Sequence, residues 1–161
     1  MANLTIRKTV REDHDQIITI LKKTGYFTAE EVDVADELLN SYFEQSTESG
    51  YWTYTAVDGK VAGYICYGPA PMTDGTYDIY WIAVDPDFQR RHIGSELVKF
   101  AERDIASHKG RLITISTSSQ EMYGSTRNFY LRQGYLEGAR IRDYYRPGDD
   151  LVIYVKLISE D

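Results

Sequence analysis

The feature that most constrains the fold is a strand, a loop, a helix and a second strand that follow one another between residues 77 and 117. The run Tyr77–Val84 is aromatic and β-branched, and Asp85-Pro86 ends it. Apolar residues recur at helical spacing over Ile93–Ile105, and Gly110 separates them from a second strand-like run, Arg111–Thr117. A helix between two strands predicts a crossover unit, in which the strands run parallel with a right-handed connection.

Two hairpins flank this unit and predict antiparallel strands beside the parallel pair. Tyr51–Val57 and Val61–Tyr67 are rich in aromatic and β-branched residues, and Asp58-Gly59 between them is a strong turn signal. Tyr135–Tyr145 and Leu151–Ile158 flank a second turn that contains Pro-Gly. The sheet is therefore expected to be mixed.

The remaining segments add one strand and three helices. Leu4–Arg7 alternates as a short strand, and helical spacing follows over residues 17–21. Thr28 and Glu31 have the spacing of a capping box ahead of a second helix, and residues 122–133 have helical spacing again. The order β-α-α-β-β-β-α-β-α-β-β predicts one α/β (α+β) domain over the whole chain of 161 residues, with a mixed sheet flanked by helices.

Composition argues against several classes of protein. Asp and Glu total 25 against 18 Lys and Arg, a formal charge of −7, so the basic surplus of a nucleic-acid-binding protein is missing. Cys66 is the single cysteine, which excludes a disulfide framework and suits a reducing compartment, the cytosol by default. His14, His92 and His108 lack partners at ligand spacing, so no metal site is expected. No long apolar run and no leader pattern is present, so neither membrane spanning nor secretion is expected.

The junction between the Tyr77–Val84 strand and the following helix is the clearest candidate binding site. At a helix start the first backbone N–H groups are unpaired, and the helix dipole favours an anion. Gly94 lets a ligand approach the backbone, and two arginines add positive charge to an acidic chain. These features predict a pyrophosphate cradle formed by Gln89, Arg90, Arg91, His92, Ile93, Gly94 and Ser95.

Two motifs carry a resemblance to a known family. Val84-Asp85-Pro86 followed by Gln89–Gly94 resembles the coenzyme A loop, V-x-P then Q-x-x-G-x-G, of the GNAT superfamily of acetyl-CoA-dependent N-acetyltransferases. Phe129–Tyr135 resembles the second family signature, F-Y-x-x-x-G-[FY], and the order of elements matches the GNAT fold. The resemblance covers nearly the whole chain and is strongest over residues 77–135. It implies an acyltransferase with acetyl-CoA as donor and a primary amine of a small molecule, peptide or protein as acceptor.

Two positions depart from the family pattern. His92 stands where the family usually has Gly, which bears on the affinity for phosphate. Tyr123, seven residues before Tyr130, stands where many relatives have Asn, so we expect the geometry on the substrate side to differ.

The resemblance also implies roles for one strand and one tyrosine. In the family the pantetheine arm lies along the strand before the loop, here through main-chain contacts of Ile82, Ala83 and Val84, and a main-chain N–H polarises the acetyl carbonyl. Tyr130 matches the family tyrosine near the coenzyme sulfur, and a phenol with a pKa of about 10 keeps its proton at neutral pH, ready to act as general acid. Packing beside Phe129 is the competing interpretation.

Acetylation also requires a neutral amine. For an amine with a lysine-like pKa of about 10.4, removal of the proton at pH 7 costs about 4.6 kcal/mol. Asp78 and Tyr80 are the candidate bases, because family members often have a base near this position and strand alternation places the two on one face. Exposure of Asp78 and packing of Tyr80 are the competing interpretations.

Acceptor-facing residues in this fold usually come from the junction of the first two helices and from the last hairpin, here Tyr26, Phe27, Asp143, Tyr144 and Tyr145. Aromatic rings with a carboxylate suit a cationic amine, although packing competes because the chain has 14 tyrosines.

Two alternative functions and one hypothesis on the oligomeric state stay open at this point. An acyl-CoA-binding sensor without turnover would fit the histidine in the loop and the lack of a clear base. A different nucleotide is a further alternative, although the absence of G-x-G-x-x-G disfavours NAD. A homodimer is a third hypothesis, since the edges of hairpins can pair between subunits.

Overall fold

A computed structural model describes residues 3–88 and 91–158. Within these ranges the strands are β1 (Thr5–Lys8), β2 (Trp52–Asp58), β3 (Lys60–Pro69), β4 (Thr76–Val84), β5 (Leu112–Ser118), β6 (Leu136–Arg146) and β7 (Asp149–Leu157). The α-helices are α1 (His14–Thr24), α2 (Ala29–Gln45), α3 (Ile93–Ser107) and α4 (Gly124–Arg132). The strands form one mixed sheet in the order β1-β2-β3-β4-β5-β7-β6, which confirms the predicted α/β class and element order.

Internal contacts divide the chain into two compact units. The first unit comprises Met1–Gly68 and Tyr80–Arg103, and the second comprises Pro69–Ile79 and Asp104–Asp161. The expectation of a single domain stays a prediction. Across the described ranges, no helix combines the length and the apolar character that a membrane crossing requires.

The first unit has a core between the first two helices and β3. α1 begins after a 3₁₀ turn and ends at Thr24, and Gly25 caps it with a left-handed φ of 79°. α2 has the predicted capping box, because the Thr28 hydroxyl accepts a hydrogen bond from Glu31 N and the Glu31 carboxylate accepts one from Thr28 N. The apolar stripes of these helices and of β3 are buried together with Ala83 of β4; the residues from the helices and β3 are Ile17, Ile20, Leu21, Val32, Ala35, Leu39, Val61, Tyr64 and Cys66.

Strand β3 is buried along almost its whole length. It pairs antiparallel with β2 around the predicted Asp58-Gly59 turn, and Gly59 has a φ of 77°. On its other side it lies beside β4, and Asp85 N donates a hydrogen bond to Ala62 O at 2.8 Å. Gly63 permits this approach, since a Cβ there would lie 2.7 Å from Ala83 O.

The second unit contains the predicted parallel pair and the last hairpin. Residues 76–79 of β4 pair in parallel with residues 112–115 of β5, as the crossover prediction requires. β5 pairs antiparallel with β7, and β7 with β6, so the C-terminal hairpin is confirmed. Its strands continue to Arg146 and Asp149, which leaves a tighter turn than predicted. The fourth helix is shorter than predicted, because Glu121–Tyr123 form a 3₁₀ turn before α4 begins at Gly124.

Candidate active site

The predicted coenzyme loop joins β4 to α3 in the first unit. β4 ends at Val84, a 3₁₀ turn follows over Pro86–Phe88, and α3 begins at Ile93. α3 has 15 residues, long enough for its first-turn N–H groups and its dipole to favour an anion. Gln89 and Arg90 lie outside the described residues, so their assignment to the cradle stays a prediction.

Asp85 organises the first half of the loop. Its side chain is buried, and Oδ1 accepts hydrogen bonds from Asp87 N at 2.9 Å and from Lys23 Nζ at 3.0 Å. Its carbonyl accepts a hydrogen bond from Phe88 N at 2.8 Å. Burial alone would raise the pKa of this carboxyl, but the hydrogen bonds from Asp87 N and Lys23, together with the charges of Lys23 and Lys60, lower it. Asp85 is therefore an ionised group that fixes the backbone of the turn.

His92 adopts the backbone conformation that suits a glycine. Its φ is 58°, in the left-handed region where a residue with a Cβ is strained. This is the position where the family pattern usually has Gly. His92 O accepts a hydrogen bond from Glu96 N at 3.0 Å, so the strained residue sits at the start of α3. The loop therefore keeps a glycine-type conformation although the residue is histidine.

The surroundings of the helix start suit a diphosphate. Arg91 is exposed, with its guanidinium 5.3 Å from the centroid of the Phe88 ring and Nη1 3.1 Å from Asp58 Oδ2. A cavity of about 410 Å³ opens there, lined by Leu4, Asp58, Arg91, His92, Ile93, Ser95, Glu96 and Lys99. The cationic side chains of Arg91 and Lys99 and the amino end of α3 are groups that bind phosphate oxygens. Of the two carboxylates in the lining, Asp58 has its charge offset by the ion pair with Arg91.

Ile82, Ala83 and Val84 form the end of β4 in the first unit. Ala83 is buried, and the other two side chains are half-buried. Their predicted main-chain contacts with the coenzyme stay predictions.

Tyr130 lies in α4, in the second unit, and is only 5% exposed. Its ring is 5.5 Å from that of Phe129, 6.1 Å from Tyr154 and 6.3 Å from Tyr135. Burial raises the pKa of the Tyr130 phenol above its ordinary value, so the hydroxyl stays protonated at neutral pH. Packing in this aromatic cluster is by itself a structural role for Tyr130, and its role as general acid stays a prediction.

The two candidate bases have different surroundings. Asp78, in the second unit, is half-buried, and Oδ1 accepts a hydrogen bond from the Thr114 hydroxyl of the neighbouring parallel strand. Tyr80, in the first unit, is 38% exposed, and its ring meets that of Tyr51 edge to face at 5.5 Å. Proton transfer by either residue stays a prediction.

The predicted acceptor-facing residues are divided between the units. In the first unit Tyr26 is half-buried, and Phe27 packs against Trp81 with ring centroids 5.3 Å apart. In the second unit, Tyr144 and Tyr145 are exposed, with ring centroids 5.0 Å apart.

Asp143 stabilises the last hairpin through hydrogen bonds. Its φ is 56°, its N donates a hydrogen bond to Asp150 Oδ1 at 3.0 Å, and its own Oδ1 accepts one from Gly148 N at 2.8 Å. The residue thus braces the turn between β6 and β7. Its predicted contact with the acceptor stays a prediction.

Sequence reasoning did not identify Lys23 or Asp58 as part of the loop region. Each forms its ion pair with a residue far along the chain, Lys23 with Asp85 and Asp58 with Arg91. No local pattern marks such pairs. Among the residues that the structure describes, no three His, Cys, Asp or Glu side chains are grouped so that they could hold a metal ion.

Comparison with known proteins gives consistent matches. The model of the Acetyltransferase (GNAT) family matches residues 15–135. An uncharacterized N-acetyltransferase of Methanocaldococcus jannaschii, MJ1530, is 27% identical over 144 residues, with 81% of this chain and 88% of that protein covered.

Solved structures extend the match to the fold. A Desulfovibrio desulfuricans protein assigned to the GNAT family of acetyltransferases is 38% identical, with a TM-score of 0.94, and covers 97% of this chain and 99% of its own. The PaiA N-acetyltransferase of Thermoplasma acidophilum, solved in complex with coenzyme A, has a TM-score of 0.72 at 18% identity and covers 96% of this chain and 98% of its own. The second likeness concerns the fold alone.

Proposed function

Because the chain belongs to the acetyltransferase (GNAT) family, we propose that it transfers an acetyl group from acetyl-CoA to a primary amine by direct attack, with Tyr130 as general acid. Acetyl transfer and the use of acetyl-CoA are properties of the family. The direct mechanism, the acid and the class of acceptor are our proposal. The observation that carries it is the left-handed backbone of His92 at the glycine position of the coenzyme loop, directly before the amino end of α3.

Bound acetyl-CoA supplies an activated acetyl thioester. The amide N–H groups at the start of α3 and the exposed Arg91 would hold the diphosphate, and Lys99 lines the same cavity. Main-chain groups of Ile82, Ala83 and Val84 would align the pantetheine arm, in the way an added strand pairs with a sheet edge. Side-chain identity at these three positions would then matter less than backbone position.

Acetyl transfer requires two proton transfers, one away from the amine and one to the departing thiolate. The amine nitrogen forms a bond to the acetyl carbon, the carbon–sulfur bond breaks, and the thiolate needs a proton. The Tyr130 phenol holds its proton at neutral pH and would donate it to the sulfur. The proton of the amine would leave through Asp78 or Tyr80, directly or through water.

The test uses the whole chain and measures release of the free thiol of coenzyme A with three acceptors: a simple alkylamine, a lysine-containing peptide and a peptide with a free α-amino group. Thiol release that depends on one acceptor class supports the proposal and identifies the acceptor. Calorimetry with acetyl-CoA, ATP and NAD runs in parallel, and tight binding of acetyl-CoA alone is the expected result. Binding without thiol release for any amine would favour the acyl-CoA sensor, and absence of binding would overturn the proposal.

A further inference from the structure

Lys23 connects the end of α1 to the coenzyme loop within the first unit. Its Nζ lies 3.0 Å from Asp85 Oδ1 and 2.6 Å from Asp87 Oδ2. α1 ends one residue later, at Thr24, so the lysine also lies at the negative end of the helix dipole, where a cation is favoured. The ammonium group of Lys23 therefore forms ion pairs with two carboxylates, one on each side of Pro86.

The two carboxylates differ in their exposure. The Asp85 side chain is 7% exposed and the Asp87 side chain 62%. A buried carboxylate needs a compensating charge or several hydrogen bonds, because removal of one partner leaves a desolvated charge. Lys60 is a second source of positive charge near Asp85, but among the ion pairs of the described residues Asp85 has only Lys23.

Asp85 transmits this interaction to the backbone. Its Oδ1 also accepts Asp87 N, its N donates to Ala62 O, and its carbonyl accepts Phe88 N. The carboxylate that Lys23 binds is thus the one that holds the turn from β4 toward α3. A change in the position of Asp85 would move the main chain of the 85–88 turn.

We propose that Lys23 is a positioning residue for acetyl-CoA, which acts through Asp85 and Asp87 rather than by contact with the coenzyme. It holds the 85–88 turn that follows β4, and it neutralises carboxylates that would otherwise repel a diphosphate in an already acidic chain. The inference rests on the proposed function, because it concerns binding of the acetyl donor.

The experiment measures the Kd of acetyl-CoA by calorimetry, together with kcat and KM, for the wild type and four variants. Lys23→Met should raise Kd and KM about tenfold and leave kcat within about twofold, since the group acts on binding and not on the reacting atoms. Lys23→Arg should recover most of the affinity because the charge is kept. Lys22→Met is the matched control, since Lys22 is exposed on the same helical turn, and it should bind like the wild type.

The fourth variant separates positioning from general stability. In Lys23→Met/Asp87→Asn one unpaired carboxylate is removed, so the double variant should bind more tightly than Lys23→Met alone. A lysine that merely stabilised the fold would lower the thermal midpoint without any change in Kd at a temperature where the protein is folded. Lys23→Gln replaces Lys23→Met if that variant is unfolded at the assay temperature.

The outcomes distinguish the two proposals. Failure of the wild type to bind acetyl-CoA overturns the proposed function itself. Wild-type binding with equal Kd values for Lys23→Met and Lys22→Met overturns the positioning role and leaves the proposed function standing. A Lys23→Met variant that binds normally but has a reduced kcat also contradicts the positioning role.

Discussion

Replacement of Gly63 with Ala should destabilise the protein and weaken acetyl transfer, although the change adds one methyl group. A Cβ at this position would lie 2.7 Å from Ala83 O, 3.3 Å from Val84 Cα and 3.5 Å from Leu97 Cδ1. The first two atoms belong to the backbone of β4, so no side-chain rotation relieves the contact. Ordinary van der Waals contact begins at 3.4 Å, which requires Ala83 O to move by about 0.7 Å.

The size of the effect follows from overpacking. Extra methyl groups in a well-packed interior cost about 1–3 kcal/mol, and the lower entropy of the unfolded chain with Ala returns about 0.4–1 kcal/mol. The net loss should be about 1–2 kcal/mol, or a decrease of about 2–8 °C in thermal midpoint for a chain of this size. The moved carbonyl belongs to the strand expected to align the pantetheine arm, so kcat/KM for acetyl-CoA should fall about tenfold.

The matched control is the same substitution at Gly124. This glycine is the first residue of α4 and has a helical φ of −57°, and among the described residues a Cβ there would meet only Arg127 Nη2, at 3.8 Å. Gly124→Ala should therefore raise stability, by up to about 1 kcal/mol. Urea unfolding followed by circular dichroism compares the two variants. Equal or greater stability of Gly63→Ala than of the wild type would refute the claim that β3 and β4 cannot yield at this point.

Three further predictions concern single side chains. Tyr130→Phe should lower kcat about 100-fold under conditions where chemistry limits the rate, and a change of only a few-fold would exclude the acid role. His92→Gly should raise the free energy of unfolding by about 1 kcal/mol because it relieves the left-handed backbone, and a lower value in urea titration would contradict that origin. Hydrogen bonds with Asp36 and, to a lesser extent, with Asp15 raise the pKa of His14 above its ordinary 6.5. The contribution of protonated His14 to the free energy of unfolding is therefore complete below about pH 6.5 and is lost as the pH rises through the folded-state pKa. The difference in unfolding free energy between the wild type and His14→Gln should thus be larger at pH 5.5 than at pH 8.5, and equal differences would disprove the linkage.

Much of the fold was predictable because it depends on interactions between residues close in sequence. The Thr28–Glu31 capping box and the Asp58-Gly59 turn are local hydrogen-bonding patterns, and the structure has both. The parallel β4–β5 pair follows from a helix of sufficient length between two strands. Boundaries shifted where contacts with other parts of the chain are made, as at α4, whose Arg127 donates hydrogen bonds to the carbonyls of Ser118 and Gln120.

The sequence by itself determined the class of sheet and the family, and it predicted the position of the coenzyme loop, because periodicity and short motifs carry that information. Only the tertiary structure showed that Lys23 forms an ion pair with Asp85, 62 residues away, and that Asp143 accepts a hydrogen bond from Gly148 N in the last hairpin. It also placed His92 in a left-handed conformation that its residue type would not suggest. Ion pairs between distant residues depend on how elements pack, and a strained φ persists only where the surrounding structure imposes it, so neither is encoded in a local pattern.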